Sequence, residues 1–133
     1  MTVAVLLDTD VSIELLRHNE HTLDCLARCE DEIFVSTITA AELYFGAYHS
    51  QRIEKNVRAV DDFLDQFPRL TLSDESSRIF GERRQRLIRQ STQVDTLDLL
   101  IASIALANDC SVVTGNTRHF KNIAGVRVKN WIG

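Results

Sequence analysis

Apolar runs recur along the chain at Val3–Leu7, Ile33–Ile38, Leu70–Leu72, Cys110–Thr114 and Val126–Trp131. Each is short, rich in branched residues and bounded by polar ones, as expected of strands buried in a sheet. The stretches between them have a different period. Ile53, Val57, Val60, Phe63, Leu64 and Phe67 recur every three or four residues, which predicts an amphipathic helix. The segment "TLDLLIASIALAND" is apolar almost all round, as in a helix enclosed by the fold. Strands alternating with helices predict an α/β architecture, a parallel β-sheet sandwiched by helices.

That architecture has a consequence for chemistry. Strands of a parallel sheet all end at one edge, and ligands bind there, outside the carboxyl ends of the strands. Three acids are expected at that edge. Asp8 ends the first strand in "VAVLLDTD"; Glu42 lies in "STITAAEL", in the first turn of the helix after the second strand; Asp98 lies in the first turn of the apolar helix. The stretch "VVTGNTRHF" after the fourth strand adds Asn116 and His119.

Each acid also has a local explanation. Thr39-x-x-Glu42 has the spacing of a capping box, and Asp95-x-x-Asp98 can cap a helix in a similar way. Asp10, ahead of "VSIELL", reads as a simple N-cap. Asp8 directly follows strand residues and is expected to have no helix amide of its own to cap. Taken together the three acids need more than capping. Two unit charges about 4 Å apart repel by roughly 4 kcal/mol at an effective dielectric near 20. A hard divalent ion with oxygen ligands, Mg²⁺ or Mn²⁺, relieves that repulsion and supports hydrolysis of a phosphoryl group.

Composition narrows the picture further. The 133 residues contain one proline, five glycines and no low-complexity tract, which predicts one domain over residues 1–133. The net charge of -4 supplies no global positive field, so nucleic-acid contact requires a local basic patch. The run at residues 3–7 is too short for a signal-peptide core, and nothing approaches the roughly 18–20 apolar residues of a membrane span. Three cysteines, Cys25, Cys29 and Cys110, fit a reducing cytoplasm. Cys25 and Cys29 with His18 or His21 match no zinc spacing, and buried small hydrophobes are the expectation for them.

The fragments "LLDTDVSIELL", "VSTITAAELYFG", "DLLIASIALANDCSVVTGNTRHF" and "VRVKNW" resemble, in order and spacing, the PIN-domain ribonucleases, and among them the VapC toxins of toxin–antitoxin pairs. The resemblance covers essentially the whole chain. It implies a single PIN-like domain with Asp8, Glu42 and Asp98 around Mg²⁺ or Mn²⁺. Asp8 and Asp98 would be the direct metal ligands, and Glu42 would bind metal or position its water. Many members carry a fourth acid after the fourth strand; here Asn116 and His119 occupy the candidate positions, which leaves a second metal position open. Asparagine still offers a carbonyl oxygen. Thr9 and Thr114 are candidates for orienting the carboxylates or stabilising turns. The implied activity is cleavage of structured RNA, often transfer or ribosomal RNA, by metal-activated water, leaving a 5′-phosphate and a 3′-hydroxyl. The implied partners are a cognate antitoxin laid across the groove and a second copy in a homodimer, with no membrane involved.

The helix "SRIFGERRQRLIRQ" holds Arg78, Arg83, Arg84, Arg86 and Arg89, the densest basic stretch. Arg84 falls among Phe80, Leu87 and Ile88, so it snorkels or reaches toward the carboxylates. Arg84, Arg86 and Arg118 are the candidates for phosphate contact, and Arg17, Arg52 and Lys55 are weaker ones. In "AAELYFGAYH", Leu43, Tyr44 and Ala47 share a stripe with Phe45 and Tyr48 beside it, suited to core packing or to a partner or dimer contact. Three other functions fit parts of the pattern: an RNA-processing PIN nuclease without an antitoxin, a non-catalytic binding module whose acids are only caps, and a D-x-D phosphatase using Asp8 and Asp10. The phosphatase lacks the acid pair it needs after the late strand.

Overall fold

The computed structural model describes residues 3–133. Along the chain run β1 (Ala4–Leu7), α1 (Thr9–Leu16), α2 (Glu20–Arg28), β2 (Glu32–Ser36), α3 (Thr37–Tyr48), α4 (Ile53–Asp65), β3 (Arg69–Leu70), α5 (Asp74–Arg89), α6 (Thr96–Ala107), β4 (Cys110–Val113), α7 (Thr117–Lys121) and β5 (Val128–Lys129). The strands form one sheet in the order β3-β2-β1-β4-β5, and every pairing is parallel. The expected α/β sandwich is therefore the observed fold.

Alternation along the central strands splits the core into two. Val5, Leu7, Val35 and Val113 face one way and meet Val11, Leu15, Leu43, Val60 and Phe63. Leu6 and Val112 face the other way and meet Leu87, Leu99, Ile101, Ile104 and Phe120. Burial on both faces explains why β1 and β4 read as continuous apolar runs. The chain builds outward from β1 through β2 to β3, then returns to the other side of β1 for β4. The order thus reverses between β1 and β4, and their carboxyl ends flank the crevice.

Several element boundaries differ from expectation. The run read as a strand to Ile38 ends at Ser36, because the buried Ser36 hydroxyl accepts from Thr39 N (3.1 Å) and starts α3 two residues earlier. The last strand covers only Val128–Lys129, and β3 stops at Leu70, leaving Leu72 exposed. Cys25 and Cys29 are half-buried against the first core and Cys110 is buried, in keeping with small hydrophobes. Among the described residues no helix is long and apolar enough to cross a membrane.

Candidate functional site

The carboxyl edge of the sheet holds Asp8 at the end of β1. Its backbone N–H donates to Val113 O (2.9 Å), extending the ladder to β4 by one residue. Its carbonyl accepts from both the amide and the hydroxyl of Ser12 (3.0 and 2.9 Å), so the main chain is fixed on both sides. The side chain is 3% exposed and serves as the N-cap of α1. Here the structure corrects the expected division of labour. Asp8 accepts from Thr9 N (2.8 Å), whereas Asp10 lies inside the first turn and does not cap the helix. Asp10 instead accepts from Val11 N (2.7 Å) and, across the crevice, from Gly115 N (2.9 Å). It ties the loop after β4 to the start of α1. A Cβ on Gly115 would lie 2.7 Å from Ile132 Cδ1 and 3.0 Å from Asp10 Oδ2, so a side chain there would have to displace the Ile132 tip and crowd the Asp10 carboxylate.

Two threonines hold two of the acids. Thr114 Oγ1 donates to Asp8 Oδ2 (2.8 Å) and accepts from Asn116 N (2.9 Å). Its single proton goes to Asp8, so the 3.5 Å approach to Asp10 is secondary. Thr9 Oγ1 donates to Glu42 Oε1 (2.6 Å); its proton thus committed, it accepts at 3.1 Å from Thr39 Oγ1. These contacts also overturn the capping box read for Thr39 and Glu42. Ser36 is the N-cap of α3, and Glu42 sits in the second turn, beyond reach of any capping role. Asp98, at the third position of α6, lies behind Asp95, which caps the helix by accepting from Leu97 N and Asp98 N (2.9 and 3.2 Å). The local reading of that pair was right for Asp95.

Electrostatics link the acids. Burial pushes the Asp8 carboxyl up to about 7, with Asp10 and Asp98 adding repulsion and the Thr114 and Thr9 hydrogen bonds opposing it. Burial likewise raises Asp98 to about 6, helped by Asp95, Glu42 and Asp10. Its one opposing neighbour is His119, whose Nδ1 lies 3.9 Å from Asp98 Oδ2. Among the described residues no lysine or arginine pairs with any of these acids. Nor do three His, Cys, Asp or Glu side chains stand close enough to enclose one ion as placed. The donor set still suits a hard divalent ion. All its donors are oxygens, no lysine or arginine among the described residues compensates its charge, and one or two carboxylates plus water satisfy Mg²⁺. The donors to Asp8 and Glu42 are all neutral, as expected of groups that orient metal-binding carboxylates.

The remaining candidates divide. Asn116 is exposed at the start of α7, where its amide reaches Thr114 but its side chain makes no capping bond. Arg84 does not join the apolar face. It is exposed at the rim of a cleft beside His119, in no ion pair among the described residues. Arg86 is occupied by Glu82 (2.7 and 3.1 Å), and Arg83 by Glu82 and Ala124 O. Arg118 is exposed on α7. In α3, Leu43 and Ala47 are core residues and Tyr44 is half-buried, while Phe45 and Tyr48 are 70% and 62% exposed. Sequence reasoning missed the contact of Thr39 with Thr9 and the loop-tying role of Asp10; a threonine three residues after a strand-ending serine was the available signal.

The PIN domain family profile matches residues 5–126. Ribonuclease VapC2 of Rickettsia felis is 32% identical over 132 residues, covering 95% of this chain and 96% of its own. The tRNA(fMet)-specific endonuclease VapC of Salmonella typhimurium is 31% identical, covering 95% and 96%. In solved structures, VapBC2 from Rickettsia felis bound to a promoter DNA fragment matches with a TM-score of 0.92 at 28% identity, covering 98% of this chain and 100% of that one. The chain belongs to the PIN-domain family, as a ribonuclease of the VapC type.

Proposed function

We propose that this chain is a divalent-metal-dependent endoribonuclease, the toxin of a toxin–antitoxin pair, acting in the cytoplasm on structured RNA. The observation that carries the reading is the convergence of Asp8, Glu42 and Asp98 on the switch-point edge, with no lysine or arginine paired to them among the described residues. Asp8 and Asp98 would hold Mg²⁺ or Mn²⁺, with Glu42 positioning water beside them. When bound, such an ion lowers the pKa of water and neutralises charge on the phosphoryl group. The chain's own residues supply the positioning. Thr114 fixes the Asp8 carboxylate, Thr9 and Thr39 fix Glu42, and Asp10 holds the Gly115–Asn116 turn against the crevice. Asn116 stands at the place of a fourth acid and contributes a neutral carbonyl. Arg84, Arg86 and Arg118 would contact phosphates; among the described residues Arg84 and Arg118 are in no ion pair, whereas Arg86 must first leave Glu82.

The VapBC complexes among similar structures support an antitoxin partner. A groove of about 310 Å³ extends from Glu42 between α1, α3 and α4, past Ile13, Leu16 and Val60. An antitoxin segment laid there would reach the acids. A homodimer is the proposed assembly. The test is incubation of the purified chain with total RNA and Mg²⁺ or EDTA, followed by mapping of new ends. Cleavage with 5′-phosphate products in Mg²⁺, abolished by EDTA and by Asp98→Asn, is expected; full cleavage by Asp98→Asn overturns the assignment.

A further inference from the structure

The second cleft at the carboxyl edge is larger than the antitoxin groove, about 590 Å³, and lies between α5, the 90–95 connection, α6 and α7. Its walls are of two kinds. Ile88, Val94 and Leu99 provide apolar surface, and Thr92 and Gln93 provide side chains able to donate and accept hydrogen bonds. Arg84 and His119 stand at its rim. Two lining residues connect the cleft to the acids. His119 is shared between the cleft and Asp98, and Asp95, which lines the cleft, caps the helix that carries Asp98.

We propose that this cleft receives one unstacked nucleotide next to the scissile phosphate, and so determines which base the enzyme accepts at that position. This rests on the ribonuclease reading above. A flat base needs apolar surface for its faces and both donors and acceptors for its edge, and the cleft offers that combination. Its volume falls in the range of small-molecule sites. An arginine at the cleft favours an anionic ligand over a neutral or cationic peptide. Among the described residues Arg84 makes no ion pair, while its neighbours Arg83 and Arg86 are occupied by Glu82. The guanidinium can therefore meet the phosphate on the far side of the inserted nucleotide, with the scissile phosphate on the near side at Asp98.

The test uses oligoribonucleotides spanning the mapped cleavage site, with each flanking nucleotide in turn made abasic or changed to each of the four bases. At one flanking position, loss of the base lowers kcat/KM of the wild type by about ten-fold, the scale of one base contact. Ile88→Trp projects bulk into the cleft from a residue 60% exposed, so the core stays closed. In that variant the penalty for the missing base shrinks to under about three-fold, because the cleft is already filled. Gln93→Ala, on an exposed connection, changes the ranking of the four bases at that position and no other. Thermal melting confirms that both variants fold. A wild type indifferent to the base at both positions overturns the inference alone, as does a full penalty retained in Ile88→Trp with the ranking unaltered in Gln93→Ala. No metal-dependent cleavage of any RNA by the wild type overturns the inference together with the ribonuclease reading.

Discussion

The two edges of the sheet treat their carboxylates in opposite ways. At the amino edge Asp31, just before β2, meets Lys129 Nζ at 3.0 Å, and Asp109, just before β4, meets Arg127 at 2.9 Å. At the carboxyl edge, among the described residues, Asp8, Asp10 and Glu42 receive hydrogen bonds only from hydroxyls and amides. The first arrangement neutralises charge and is ordinary surface pairing. The second orients charge without neutralising it, and burial then pushes Asp8 and Asp98 up. A protein selected only for stability has no reason to gather acids in this way, since each buried carboxylate lacking a counter-charge is costly. The difference sets the carboxyl edge apart electrostatically from the amino edge.

The comparison can be broken most forcefully at its acids. Asp98→Asn removes a proposed metal ligand, and several kcal/mol of lost charge stabilisation correspond to a fall in RNA cleavage of about 10³-fold. The metal-free variant is expected to melt no lower than the wild type, because a repulsive neighbour of Asp8 has gone. Denaturation scans in EDTA check this second point. Thr114→Val tests the neutral donors. It strips Asp8 of one hydrogen bond and leaves Asn116 N without its acceptor, and it is expected to weaken metal affinity or cleavage by about 10–100-fold.

A smaller effect should follow from pH alone. The folded protein holds protons on Asp98 and Asp8 up to about 6 and 7, whereas the unfolded chain releases them near 3.8. Between those limits the native state binds more protons, so this contribution is complete below the unfolded value and is lost as pH rises through 6 and 7. Metal-free stability therefore declines from pH 5 to pH 8, and Asp8→Asn flattens the decline. Mn²⁺ raises the melting temperature more at pH 8 than at pH 5, because at the lower pH it must displace protons. Smallest of all is the change at the other edge. Arg127→Ala breaks an exposed pair with Asp109, and stability should shift by at most about 1 kcal/mol with cleavage unaltered.

Much of this site was legible in the sequence because the topology, not the local chain, assembles it. Once apolar runs alternate with helices, any acid at a strand tip shares an edge with the others, and Asp8, Glu42 and Asp98 follow. What escaped was decided by contacts between distant segments or by single-residue boundaries. Asp8 was expected to have no amide to cap, yet α1 begins at the very next residue; the apolar spacing of "VSIELL" does not reveal where a helix starts. Asp10 looked like that cap because its true partner, Gly115, is 105 residues away. Glu42 was placed one turn too early because the apolar run continues through Ile38 after the strand has ended. The cleft beside Asp98 was invisible, since it depends on the path of an irregular connection that carries no periodic signal.

The central claim is that the carboxyl edge holds a divalent cation through Asp8 and Asp98. Calorimetric titration of Mn²⁺ into the metal-free protein near pH 7.5 tests it most directly, in parallel with Asp8→Asn and Asp98→Asn. The expected result is binding by the wild type with release of protons, and loss of that binding in both variants. Absence of binding in the wild type, or equal binding in all three proteins, would contradict the account.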